Sequence, residues 1–224
     1  KELPENNIVT IQPDSLRILH NPLTGWVLYA SMGVDAADFW AQYDHMYIPE
    51  LGHNVSVTDY AHTLYIRASW TDFNPQEDVY GWKIDSNLRA YIEGAYQRNM
   101  RLAFRVVVDS RDKRTEFTPQ FVKDAGAKGF MNKGKWSPYS DDPIFQKYYT
   151  KFVKTLAKDF NDPSKVEFID GFGLGKWGEY HTMIYSTGDD TPKKAVFDWV
   201  TDIYSQAFDK VPVVINYHRW IGAG

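Results

Sequence analysis

Cysteine is absent from the 224 residues. That excludes disulfides, thiolate metal sites and a cysteine nucleophile. No apolar run approaches the ~20 residues that a bilayer-spanning helix needs, so no membrane span is expected. There is no basic stripe either, because 25 Lys and Arg are interspersed with 29 Asp and Glu, for a net charge of -4. A partner held through its phosphates, such as nucleic acid, is therefore not expected. The six histidines (His20, His45, His53, His62, His181 and His218) form neither H-x-H nor H-E-x-x-H. His181 and His218 end neighbouring strands, and with Glu179 they could in principle hold a divalent ion. Hydrogen bonding to a ligand is the favoured reading, with no metal and no cofactor. No export signal is visible from Lys1 onward, and the absence of cysteine fits an exported or a cytosolic protein equally; the expectation is a secreted, periplasmic or cell-surface protein of bacterial type whose leader has been removed.

Aromatic residues are abundant, at 16% with 8 Trp and 15 Tyr. They suit either a large core or a cleft of flat rings, whose apolar faces meet the C–H faces of sugars while polar edges hydrogen-bond. Hydrophobic residues make up 43%, enough for a full core, and the length suits one domain.

Apolar, β-branched runs alternate with helical patterns. The strands are "GWVLYA", "TLYIRASW", "RLAFRVVVDS", "VEFIDGFGLG" and "VPVVINYHRW". "ADFWAQYDHMYI" is expected to be a helix with Phe39, Trp40, Tyr43 and Tyr47 on one side. "DSNLRAYIEGAYQRNM" is a helix capped by Asp85 or Ser86, with Leu88, Ile92 and Ala95 on its inner stripe. "DPIFQKYYTKFVKTLAKDF" starts on cap Asp142 and Pro143. "TPKKAVFDWVTDIYSQAF" is expected to start on Thr191 and to bury Val196, Val200, Ile203 and Ala207. Residues 111–141 look like a long irregular stretch, and no hairpin is evident.

This order argues for a parallel sheet covered by helices. A doubly wound sheet and a (β/α) barrel compete, and both place sites at the C-terminal strand ends, where Arg67, Trp70, Arg105, Asp109, Glu179, Asn216, Tyr217 and His218 cluster. Five units consume the chain, whereas a complete barrel needs roughly 250 residues or more. The expectation is a single barrel domain over 1–224, with 1–24 as an N-terminal extension, comprising the first five β/α units of a (β/α)8 TIM-barrel. The sixth to eighth would come from a missing C-terminal segment or a partner chain.

"GFGLGKWGEYH" (Gly171 to His181) carries a literal G-x-G-x-x-G in Gly173, Gly175 and Gly178. A dinucleotide turn needs a helix to follow, but "EYHTMIYSTGDD" has weak helical character, and Glu179 would repel phosphates. The alternative centres on Glu179 itself, set among Trp177, Tyr180 and His181. A partly desolvated Glu suits proton donation, which glycosidic cleavage requires together with a second carboxylate.

Residues "SWTDFNPQEDVYGWKIDSNLRAYIEGAYQRNMRLAFRVVVD" resemble the second and third units of clan A glycoside hydrolases. The phrase is Pro75, Glu77, Tyr80, Trp82 and Asp85, followed by Asn99-Met100-Arg101-Leu102. "NPLTGW" is similar to the opening of related uncharacterised barrel hydrolases, and "GKWGEYH" to the end of their fourth strand. The resemblance spans roughly residues 20 to 220. It implies a retaining hydrolase of β-linked glycans, with Glu179 as general acid/base and a nucleophile Glu on a seventh strand. It also implies that Arg67 holds that nucleophile ionised. Arg105 and Asp109 would pair with each other or contact hydroxyls, and Trp70, Trp136, Trp177, Tyr217 and Trp220 would be sugar platforms or core. The clan's Asn before the acid/base is Gly178 here, which leaves its hydroxyl contact to His181 or Asn216. No Glu follows Glu179 in this chain. The alternative is a non-catalytic carbohydrate-binding barrel.

Overall fold

A computed structural model describes residues 25–30, 32–111 and 113–215. The 1–24 extension and Asn216, Tyr217, His218 and Trp220 lie outside the described residues. Strand β1 (Trp26–Ala30) is followed by helix α1 (Ala36–Asp44), the hairpin β2 (Met46–Ile48) and β3 (His53–Val55), and then β4 (Ala61–Ser69). Helices α2 (Trp70–Phe73), α3 (Gly81–Ile84) and α4 (Ser86–Gln97) lead to β5 (Arg101–Val107). Next come α5 (Gln120–Asp124), the hairpin β6 (Gly129–Asn132) and β7 (Lys135–Pro138), and the long α6 (Pro143–Phe160). Strand β8 (Val166–Gly171), α7 (Lys193–Ala207) and β9 (Val213–Ile215) complete the order.

The main sheet runs β1-β4-β5-β8-β9, with every pairing parallel. Each strand is laid beside its predecessor in one constant direction. A doubly wound sheet reverses direction at a switch point, and this sheet does not. Because parallel crossovers are right-handed, a constant direction puts the connecting helices on one face. The topology thus decides for the (β/α)-barrel type, in five strands.

Strand periodicity then divides the residues between two faces. Leu28, Ala30, Leu64, Ile66, Leu102, Phe104 and Ile169 are buried on the helical side, in one core with Phe39 and Trp40 of α1, Leu88 of α4, Phe145 and Phe152 of α6, and Val196 and Val200 of α7. The opposite, inner face carries Tyr29, Tyr65, Arg67, Arg105, Phe168 and Asp170.

Two expected caps hold. Asp85 Oδ1 accepts from Leu88 N at 2.7 Å, and Asp142 Oδ1 accepts from Ile144 N and Phe145 N. Three expectations are corrected. Helix α1 stops at Asp44, and Tyr47 is an exposed strand residue, because the β-prone Met46-Tyr47-Ile48 pairs back onto His53–Val55. Thr191 does not cap α7; its N–H is taken by Asp189 Oδ1, and Pro192 occupies the cap position. Residues 111–141 hold α5 and the β6–β7 hairpin. Its two turn residues, Lys133 and Gly134, both have positive φ, 49° and 76°, the backbone that a tight hairpin turn demands.

Candidate active site

Strand β8 ends at Gly171, and the segment after it is wound tightly over the sheet end. Gly173, Gly175 and Gly178 all adopt positive φ, and so do Trp177, Tyr180 and Thr182. The segment is closed by backbone bonds from Tyr180 N to Leu174 O (2.8 Å) and Lys176 N to His181 O (3.1 Å). Gly173 is glycine for a packing reason as well as a backbone one. A Cβ there would lie 2.0 Å from Val106 O and 2.7 Å from Tyr149 Oη. The next helix, α7, begins only at Lys193, so no helix N-terminus faces these glycines and the dinucleotide reading falls.

The winding presents Trp177, Glu179 and His181 at the C-terminal ends of the parallel strands. Trp177 is 40% exposed. Its ring lies edge-on to His181 at 5.3 Å, with the Lys176 ammonium 4.7 Å from its centre. His181 Nε2 is 3.8 Å from Glu179 Oε2. The other Glu179 oxygen, Oε1, accepts from Arg105 Nη1 at 3.0 Å. Arg105 Nε and Nη2 reach Asp170 Oδ2 at 2.9 and 2.6 Å, and Tyr65 Oη donates to that same oxygen at 2.6 Å. Burial, and then the bond to Asp170, push the Tyr65 hydroxyl well above its ordinary value, so it remains a donor. Burial disfavours the charge of Arg105. The facing oxygens of Tyr65, Asp170 and Glu179 outweigh that and raise it above the ordinary arginine value.

Arg67 is the register partner of Arg105, but it donates from Nη2 to the Trp177 carbonyl at 2.7 Å. It therefore holds the loop carrying Glu179. Asp109 and Arg105 do not pair. Asp109 is buried and takes Arg111, two residues further along the chain, through Nε (2.8 Å) and the backbone N–H (2.8 Å). Trp70 is 0% exposed, packed against Phe121, Phe145, Tyr149 and Phe152. Trp136 is likewise buried. Neither ring is open to stack on a ligand: Trp70 is packed among rings of α5 and α6, and Trp136, on the β6–β7 hairpin, is part of the buried core. Among the described residues, no group of three or more His, Asp or Glu is placed to hold a metal ion.

Sequence reasoning missed Asp170 and Tyr65. The available signal was parity: Tyr65, Arg67, Arg105 and Asp170 each alternate with buried apolar neighbours on their strands, which marks a polar inner face.

No protein-family model and no curated protein matches the sequence. Solved structures do resemble the fold. GH5_18 from Streptomyces cattleya in complex with GlcNAc is 14% identical with a TM-score of 0.51, over 84% of this chain and 43% of that one. A variant of the same enzyme with Manb1-4GlcNAc gives 14% and 0.51, over 82% and 40%. The exo-beta-1,4-mannosidase Op5Man5 from Opitutaceae bacterium strain TAV5 gives 13% and 0.49, over 85% and 31%. The chain spans less than half the length of each. The likeness establishes the fold: five parallel strands of the (β/α)-barrel type, whose solved neighbours are glycoside hydrolases.

Proposed function

We propose that this chain forms part of a retaining glycoside hydrolase acting on a β-linked glycan or glycoside, with Glu179 as general acid/base. The observation that carries the reading is Glu179 itself. It is a half-buried carboxylate at the C-terminal end of the fourth parallel strand, gripped by Arg105 on one oxygen and flanked by His181 and the exposed ring of Trp177. Strand ends at that face are where (β/α) barrels carry their chemistry. In this mechanism Glu179 protonates the departing glycosidic oxygen and then takes a proton from the water that frees the sugar. Trp177 offers a flat apolar face to the sugar. The nucleophile is a carboxylate from polypeptide beyond the described residues, on units that close the inner face. The protein works outside the cytoplasm, where such polymers occur.

The test is hydrolysis of a panel of aryl β-glycosides and Manb1-4GlcNAc by the full-length polypeptide that carries this chain. Glu179→Gln should lower turnover by about 10²- to 10⁴-fold. The loss should be larger for a poor alkyl leaving group than for an activated phenol, which needs little protonation. Wild-type turnover in Glu179→Gln sinks the assignment.

One observation favours a second reading, a sugar-binding barrel without catalysis. The other carboxylate of the cluster, Asp170, already has its Oδ2 engaged by Tyr65 and Arg105. Sugar binding by the full-length polypeptide with no hydrolysis of any panel member would select this reading.

A further inference from the structure

Asp170 is an acidic residue next to the C-terminal end of β8, "VEFIDG", with its side chain only 13% exposed. A carboxylate in such a place is costly unless it is paired and hydrogen-bonded. Two hydrogen bonds converge on its Oδ2, from Tyr65 Oη on β4 and from Arg105 Nε on β5, and Arg105 Nη2 lies against the same oxygen as an ion pair at 2.6 Å. The guanidinium is planar and rigid, so fixing that edge fixes the direction of the remaining nitrogen, Nη1. It is Nη1 that meets Glu179 Oε1.

Charge explains why Arg105 turns this way. Arg67 is its direct neighbour across the β4–β5 ladder, and like charges placed opposite each other repel. Asp170, on the other flank, draws the guanidinium toward β8. From this geometry we infer that Asp170, assisted by Tyr65, is a positioning residue, locking Arg105 so that its free nitrogen holds the Glu179 carboxylate at the strand mouth. The inference rests on the reading of Glu179 as the reacting carboxylate. It adds a role for the pair beneath it, which by itself would be an ordinary structural ion pair.

The experiment measures kcat, KM, the pH profile of kcat and Tm for the full-length polypeptide, on a β-glycoside from the panel. The variants are Glu179→Gln, Asp170→Asn and Tyr65→Phe. Misplacement of a reacting group by about 1 Å can lower the rate on the order of 100-fold. Asp170→Asn should therefore lower kcat by roughly that factor, with KM within about twofold and a displaced pH profile. Tyr65→Phe should move the same quantities in the same direction by about tenfold, since one of the two hydrogen bonds to Asp170 Oδ2 is lost. A purely structural pair would change Tm without moving the pH profile, and that result overturns the inference. If Glu179→Gln abolishes turnover while Asp170→Asn and Tyr65→Phe keep wild-type kcat and pH profile, the positioning role is overturned and Glu179 keeps its assignment. If Glu179→Gln turns over normally, or the wild type hydrolyses nothing, both readings fall. Should Asp170→Asn not fold, Tyr65→Phe, which deletes one hydroxyl, decides by the same criterion.

Discussion

The two tryptophans that sequence alone ranked together, Trp70 and Trp177, behave as opposites. Trp70 opens α2 on the capping box of Ser69 and Asp72, and that turn drives its ring into the core. Trp177 is held outward on a left-handed backbone, φ 62°, which costs a non-glycine residue about 1–2 kcal/mol. Trp70→Ala should therefore destabilise by about 3–5 kcal/mol, read from urea midpoints. Trp177→Gly should leave Tm unchanged or raised while weakening sugar binding measured by calorimetry; unchanged affinity would remove Trp177 as a platform. Away from the site, Asp44 lies beside Arg98, whose Nε is 2.8 Å from Asp44 Oδ1. The Arg98 hydrogen bond, more than any other contact, holds this carboxyl below its ordinary value. A carboxylate depressed in the folded state adds stability that is present above its unfolded value, about 3.9, and lost as pH falls through the folded value. The stability gap between wild type and Asp44→Asn should thus be open at pH 7 and close as pH drops below about 4, seen in urea midpoints at each pH. A gap independent of pH would show that packing, not the ion pair, carries Asp44's contribution.

Elements were legible where a local rule decides them. Asp142 ahead of Pro143 announced α6, and the structure adds that Asp142 Oδ2 also accepts from Lys128 N at 3.1 Å, tying the helix start to the β6–β7 hairpin. Asp142→Ala should cost about 2 kcal/mol, the upper range for a cap, measured as a lowered denaturant midpoint; a loss under half of that would mean water replaces the bonds. The hairpin itself was illegible because Lys133 is an unusual residue for positive φ, although Gly134 after it was the available clue. A Cβ at Gly134 meets no atom within 4 Å. Gly134→Ala therefore tests backbone conformation alone and should cost about 1–2 kcal/mol.

At the scale of the whole molecule, a parallel sheet is normally covered on both faces. Here the helices cover one face, while the inner face exposes Val27, Tyr29 and Val214, and Trp26 at the start of β1 is 74% exposed. Beneath them is a cavity of about 300 Å³ lined by Trp26, His62, Phe168 and Pro212, among others. Among the described residues, β1 and β9 each pair on one side only, and open edges recruit other strands. The 224-residue chain on its own should bind a hydrophobic dye and associate with rising concentration in sedimentation experiments. A dye-silent monomer would contradict that. The sequence by itself determined the β/α alternation, the long helix and the placing of Glu179 just past the fourth strand, because periodicity, caps and turn residues act over a few neighbours. Only the tertiary structure decided the barrel-type strand order, the burial of Trp70 and Trp136, and the convergence of Tyr65 and Arg105 on one oxygen of Asp170 with Glu179 on the guanidinium's far side. Those depend on the register between strands distant in sequence, which no local pattern encodes.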